Sequence, residues 1–178
     1  ELTIGVPNAD ADVGCGFNEA DESSNGDEVP IYGGTLSGAD DVWVGQNGFA
    51  KITQTAGTLN VAGDVLMSDG SVAFGDTEGT YLMQGGVLNI GNELRIAHSQ
   101  DTHGEFIQTA GTVAIGGQLT VTDGGRGTLR LGGTGVMTAD TAQLAGQPNR
   151  PGLIIQTGGQ LTIAEDLNMI NANSDYLT

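Results

Sequence analysis

Four stretches of the chain read alike: Gln54-Thr55-Ala56-Gly57-Thr58-Leu59-Asn60-Val61, Gln84-Gly85-Gly86-Val87-Leu88-Asn89-Ile90, Gln108-Thr109-Ala110-Gly111-Thr112-Val113-Ala114-Ile115 and Gln156-Thr157-Gly158-Gly159-Gln160-Leu161-Thr162-Ile163. Two weaker copies begin at Gly34 and Gly135. The anchoring glycines, 34, 57, 86, 111, 135 and 159, are separated by 23, 29, 25, 24 and 24 residues. A repeat of this length is one supersecondary unit that packs chiefly on its neighbours, so the period constrains the fold more than any single motif does.

Alignment on each glycine resolves the unit. Two positions on lie Leu36, Leu59, Leu88, Val113, Met137 and Leu161, and four on lie Gly38, Val61, Ile90, Ile115, Ala139 and Ile163. Eight on lie Val42, Val65, Leu94, Leu119, Gln143 and Leu167, and ten on lie Val44, Met67, Ile96, Val121, Ala145 and Met169. The positions between are mostly polar, which is the period-two signature of two half-buried strands per repeat. A third burst precedes each glycine, at 50–55, 80–84, 105–109, 129–131 and 153–157; both of its faces are partly apolar, so its inward side stays open. Three short strands and their turns in about 25 residues make one coil of a parallel β-solenoid (β-helix), with coils stacked at about 4.8 Å. The fold expected is therefore all-β. A propeller blade of about 40–45 residues is too long for this period, and a sandwich has no reason to repeat one sequence in every strand triplet. The glycines are expected at corners that need positive φ or close backbone approach. A chain of 178 residues suits one domain, so 1–178 is read as a single solenoid carrying an acidic loop insertion at 5–29.

These repeats resemble the Gly-rich Q-T-G-G-x-L/V-x-V/I repeats of large bacterial surface and secreted proteins, including autotransporter-like passengers. The likeness covers about residues 33–169 and departs around Gly135, where the Gln is missing. It implies an exported, rod-shaped structural or adhesive segment, extracellular or at the cell surface, and it supplies no catalytic residues.

Charge narrows the partners. With 22 Asp and Glu against 5 Lys and Arg the net charge is -17, which repels nucleic-acid phosphate and anionic membranes. No apolar run approaches the roughly 18 residues of a membrane span. Residues 1–4 match Gln118-Leu119-Thr120-Val121 column for column, and Tyr176-Leu177-Thr178 matches Phe106-Ile107-Gln108 as the opening of another strand. Both ends are thus expected inside coils, without caps, and Leu2, Ile4, Met169, Tyr176 and Leu177 are the residues expected to meet further coils. Those coils would come from a second copy head to tail or from a longer chain. The acidic loop holds Asn8, Asp10, Asp12, Glu19 and Asp21, whose spacing loosely echoes a calcium loop. Calcium there is one reading; a solvated acidic loop is the other. No other cofactor is expected.

Remaining chemistry is sparse. Seven residues after the glycines stand Asp41, Asp64, Glu93, Gln118, Ala142 and Asp166, read either as a row of cation or sugar-hydroxyl contacts or as Asp-type turn residues bonding local backbone. His98 and His103 flank Asp101 in one stretch without thiolates, which reads as a polar loop before a zinc site. Cys15 is the single cysteine, so no internal disulfide forms. Outward threonines are interrupted in every coil, against an ice-binding array. An enzyme acting on polysaccharide needs an acid–base pair in an aromatic-lined cleft; aromatic residues are 4% of the chain, and Asp40-Asp41 beside Trp43 is the best cleft on offer. The chain therefore reads as a non-enzymatic structural segment of a fibre, stalk, surface layer or adhesin shaft. A carbohydrate-binding or polysaccharide-cleaving β-helix, with glycans as partners, is the second reading.

Overall fold

The structure, a computed structural model, describes residues 13–15, 27–46, 48–70, 77–144, 152–169 and 176–177. These residues form only strands and turns, and every strand pairing is parallel. Each coil visits three sheets in turn. Sheet I contains Val13–Cys15, Val42–Gln46, Val65–Asp69, Leu94–Arg95, Gln118–Thr120, Thr141–Gln143 and Leu167–Asn168. Sheet II contains Asp27–Ile31, Phe49–Gln54, Glu78–Met83, His103–Gln108, Arg126–Leu131, Gly152–Gln156 and Tyr176–Leu177. Sheet III contains Thr35–Ala39, Thr58–Val61, Val87–Ile90, Thr112–Ile115, Val136–Ala139 and Gln160–Ile163. This is the parallel β-solenoid of about 25 residues per coil that the repeat implies.

The repeat becomes a core because parallel pairing puts equivalent residues of successive coils one strand spacing apart. On sheet III, Leu59, Leu88, Val113 and Met137 form one buried ladder in register. On sheet I, Val42, Val65, Leu94 and Leu119 form another. Sheet II, whose inward face the sequence left open, turns in the column Ile52, Tyr81, Phe106, Leu129 and Ile154. Within it the rings of Tyr81 and Phe106 stack with centroids 5.0 Å apart, an arrangement that adds to the area they bury.

A second inward column of sheet II corrects the sequence alignment. The residue in register with Gln54 is Met83, not Gln84, and the column runs Ile31, Gln54, Met83, Gln108, Leu131, Gln156. Apolar residues and glutamines alternate. Gln54 and Gln108 are fully buried, and each carboxamide donates to two backbone carbonyls at a corner: Gln54 to Gly57 and Val87, Gln108 to Gly111 and Val136. Gln54 Oε1 also accepts from Tyr81 Oη at 2.7 Å. Leu129 takes the matching place one coil beyond Gln108 and offers no donor, so Gln108 Oε1 is buried without a partner.

Other register differences are local. Gly34, Gly57, Gly86, Gly111 and Gly159 have positive φ, as expected at corners, but in the weak coil Gly133 takes that conformation and Gly135 does not. That corner is one residue longer than its neighbours. The following turn is one shorter, so Ala142 and Leu144, rather than Gln143 and Ala145, fill the inward columns. Ala39, not Gly38, pairs with Val61 across a bulge. Leu177, not Tyr176, falls in the column of Ile154 and Phe106. Val13–Cys15 is a strand within the stretch read as a loop insertion; it pairs with Val42–Val44 in the columns assigned to Leu2 and Ile4, and Asp27–Ile31 is likewise a strand. Residues 1–12, including Leu2 and Ile4, lie outside the described residues.

Leu88→Ala removes a fully buried member from the middle of its ladder, and reversible unfolding should show a loss of roughly 2–4 kcal/mol. A loss below about half a kcal/mol would put this column in solvent.

Candidate functional site

The corner between sheets I and II is built by backbone crowding. In register at the second position of the sheet II strands stand Ala50, Gly79, Gly104, Gly127 and, first in its strand, Gly152. A Cβ added at Gly104 would collide with the Ile96 carbonyl oxygen, and one at Gly127 with that of Val121. At these glycines the chain therefore passes so close to the end of the sheet I strand that no larger residue fits. Buried hydroxyls complete the corner. Ser68 Oγ accepts from the Gly79 amide at 2.8 Å and donates to the His103 carbonyl, and Thr122 Oγ1 accepts from the Gly127 amide at 2.7 Å.

The residue just before this column points outward. It is Phe49, Glu78, His103 and Arg126 in four successive coils, all in register. Together with Thr77, Asp101 and Thr102 these side chains line an open groove of about 580 Å³. Thr77 and Thr102 are buried in its floor, and Thr102 Oγ1 donates to the Ser99 carbonyl at 2.7 Å, tying down the turn that carries Asp101 at φ 61°. Phe49 is 47% exposed. Among the described residues, Glu78, His103 and Arg126 have no side-chain hydrogen bond or ion pair. The other described cations are paired: Lys51 with Glu28, Arg95 with Glu93 and Asp123, Arg130 with Glu105. Arg150 lies outside the described residues. The Glu28 carboxyl is held below its ordinary range by the Thr53 hydroxyl and, after it, by Lys51.

A second polar cluster runs along sheet I. Two members of the acidic column there bond the backbone of the next coil: Asp41 Oδ1 accepts from the Asp64 amide at 2.7 Å, and Asp64 Oδ1 accepts from the Glu93 amide at 3.0 Å and from Asn92 Nδ2 at 2.7 Å. These bonds tie one coil to the next, where the turn-residue reading has Asp bonding its local backbone; in the weak coil Thr141 rather than Ala142 stands in the column. Beyond it, Arg95 meets Glu93, Asp123 and His98, and His98 Nδ1 lies 3.3 Å from Asp123. Burial lowers the pKa of the Arg95 guanidinium, but Glu93 first, then Asp123 and Asp64, outweigh it and raise the value overall, so the cluster keeps a fixed cation.

His98 and His103 are thus separated, the first in this cluster and the second in the groove. Among the described residues no group of three or more His, Cys, Asp or Glu is arranged to hold a metal ion. The calcium candidates Asn8, Asp10, Asp12, Glu19 and Asp21 lie outside the described residues. Asp41 belongs to the acidic column and Asp40 adjoins it; neither lines the groove. Sequence reasoning missed the groove because its four column residues share no side-chain chemistry; the signal available was the glycine or alanine four positions before each of Gln54, Met83, Gln108, Leu131 and Gln156. Set beside protein-family models, curated proteins and solved structures, the chain finds no match.

Thr122→Val keeps the volume of a buried side chain but leaves the Gly127 amide without its acceptor. Chemical denaturation should show a loss of about 1–3 kcal/mol, with Thr122→Ser closer to wild type. Equal stability of Thr122→Val and wild type would remove the hydroxyl from the account of this corner.

Proposed function

We propose that this chain is a structural segment of an extracellular or cell-surface rod, the shaft of a fibre, stalk, surface layer or adhesin, extended by end-to-end addition of coils from a second copy. The observation that carries the reading is the change in burial along one set of columns. Met137, Ala142 and Leu144 are buried in their coil; one coil on, Leu161 and Ile163 are half-buried, Leu167 is 47% exposed and Met169 42% exposed. Among the described residues, their strands Gln160–Ile163 and Leu167–Asn168 are the last in their sheets.

An open strand edge and an apolar cross-section at one end favour another coil of the same column pattern. The pattern itself selects that coil, because any repeat unit of this chain continues the ladders in register. Head-to-tail contact of this kind does not close on itself, so its product is a filament. The net charge of -17 opposes side-by-side clustering and leaves the axial route. The likeness of the repeats to those of bacterial surface and secreted proteins supports the location.

Sedimentation velocity and electron microscopy of the full chain across a concentration series at physiological salt test this reading. Concentration-dependent filaments are expected, and Leu167→Glu, at the exposed end, should abolish them without changing circular dichroism. A folded, monodisperse 18.1 kDa monomer at every concentration would overturn it, whether the axial partner is absent or is a further coil of a longer chain.

A further inference from the structure

We propose that the groove on sheet II binds a neutral oligosaccharide laid along the solenoid axis, a site that does not depend on axial assembly. The argument begins with what the groove leaves unsatisfied. Arg126 is exposed and without an acidic partner among the described residues, in a chain whose acidic residues outnumber its basic ones 22 to 5. Glu78 and His103 stand between it and Phe49 in the same register and, among the described residues, are likewise unbonded at their side chains. The column therefore presents an apolar ring, an acceptor, an imidazole and a multiple donor, spaced about 4.8 Å apart.

The chemistry of a ligand follows from that row. A hydroxyl both donates and accepts, so successive sugar hydroxyls satisfy the carboxylate, the imidazole and the guanidinium in turn. The exposed face of Phe49 offers an apolar platform for the C–H face of a pyranose ring, and sites of this kind combine aromatic surface with a few placed polar groups. Charge selects neutral over anionic glycans: Glu78 and Asp101 face the same groove as Arg126, and the whole chain is at -17. A peptide has no purchase here by strand addition, because the four strands that carry the column are already paired on both sides. The platform is rigid, since Ser68 and Thr122 fix the corner backbone beneath it. Phe49 and Arg126 are three coil steps apart, about 14 Å, so a chain of several sugars reaches contacts that a single sugar cannot.

Isothermal titration calorimetry of the full chain with cellohexaose, xylohexaose, mannohexaose and chitohexaose, with their monosaccharides, and with hexagalacturonate as the acidic probe tests the proposal. At least one neutral hexasaccharide should bind at submillimolar concentration, about tenfold or more tighter than its monosaccharide. Phe49→Ala and Arg126→Ala, both at exposed positions, should each weaken it about tenfold with circular dichroism and melting unchanged. Thr112→Ala, on sheet III, should leave binding intact. The proposal is overturned if no neutral hexasaccharide binds at millimolar concentration, if hexagalacturonate is preferred, or if binding is indifferent to both groove substitutions or equally sensitive to Thr112→Ala.

Discussion

Hydrogen bonding from each coil to the next is the constraint on which the rest of this structure depends. Its geometry fixes one strand spacing between equivalent residues, so every side-chain column becomes a line of near contacts. A residue type that suits one coil is then required to suit the coils above and below. The apolar ladders of Leu59, Leu88, Val113 and Met137 and of Val65, Leu94 and Leu119 are one consequence. The alternation of apolar residues with Gln54, Gln108 and Gln156 is another, because a glutamine that donates to carbonyls of its own and the next coil needs that space on one side. The stacked Tyr81 and Phe106 occupy the same spacing with aromatic rings.

The corners answer to the same spacing. Where sheet I turns into sheet II the backbone of one strand lies against the carbonyls of the other, and the column Gly79, Gly104, Gly127, Gly152 leaves no room for a Cβ. Strand alternation then turns the preceding residue outward. Packing does not dictate its identity, which is why Phe49, Glu78, His103 and Arg126 can differ while their backbones stay in register. A fold that is strict inside its columns is in this way free at outward positions such as this one.

The period, the three strands per coil and most inward columns were legible in the residues, because apolar side chains at fixed offsets from a glycine report on burial directly. Gln84 misled because the chain gives Met83 the glutamine's place, and an apolar residue there keeps the ladder without keeping the motif. The weak coil misled because an added residue in one corner is cancelled by a missing one in the next turn, which leaves the 24-residue spacing intact while moving Ala142 and Leu144 inward. Val13–Cys15 was hidden by the acidic residues around it, although its backbone continues sheet I. The groove was illegible for a different reason: likeness between coils was the signal used, and the groove is made of an outward column in which coils are unlike.

Spin labels on the outward column Thr35, Thr58, Val87, Thr112, Val136 and Gln160 of sheet III would measure the stacking itself. With one label held at Gln160 and the second moved among Thr35, Thr58 and Val87, the account predicts distances of about 24, 19 and 14 Å, each step shorter by one strand spacing. Distances that do not fall by a constant step, or that stay the same as the second label moves, would contradict the in-register parallel solenoid.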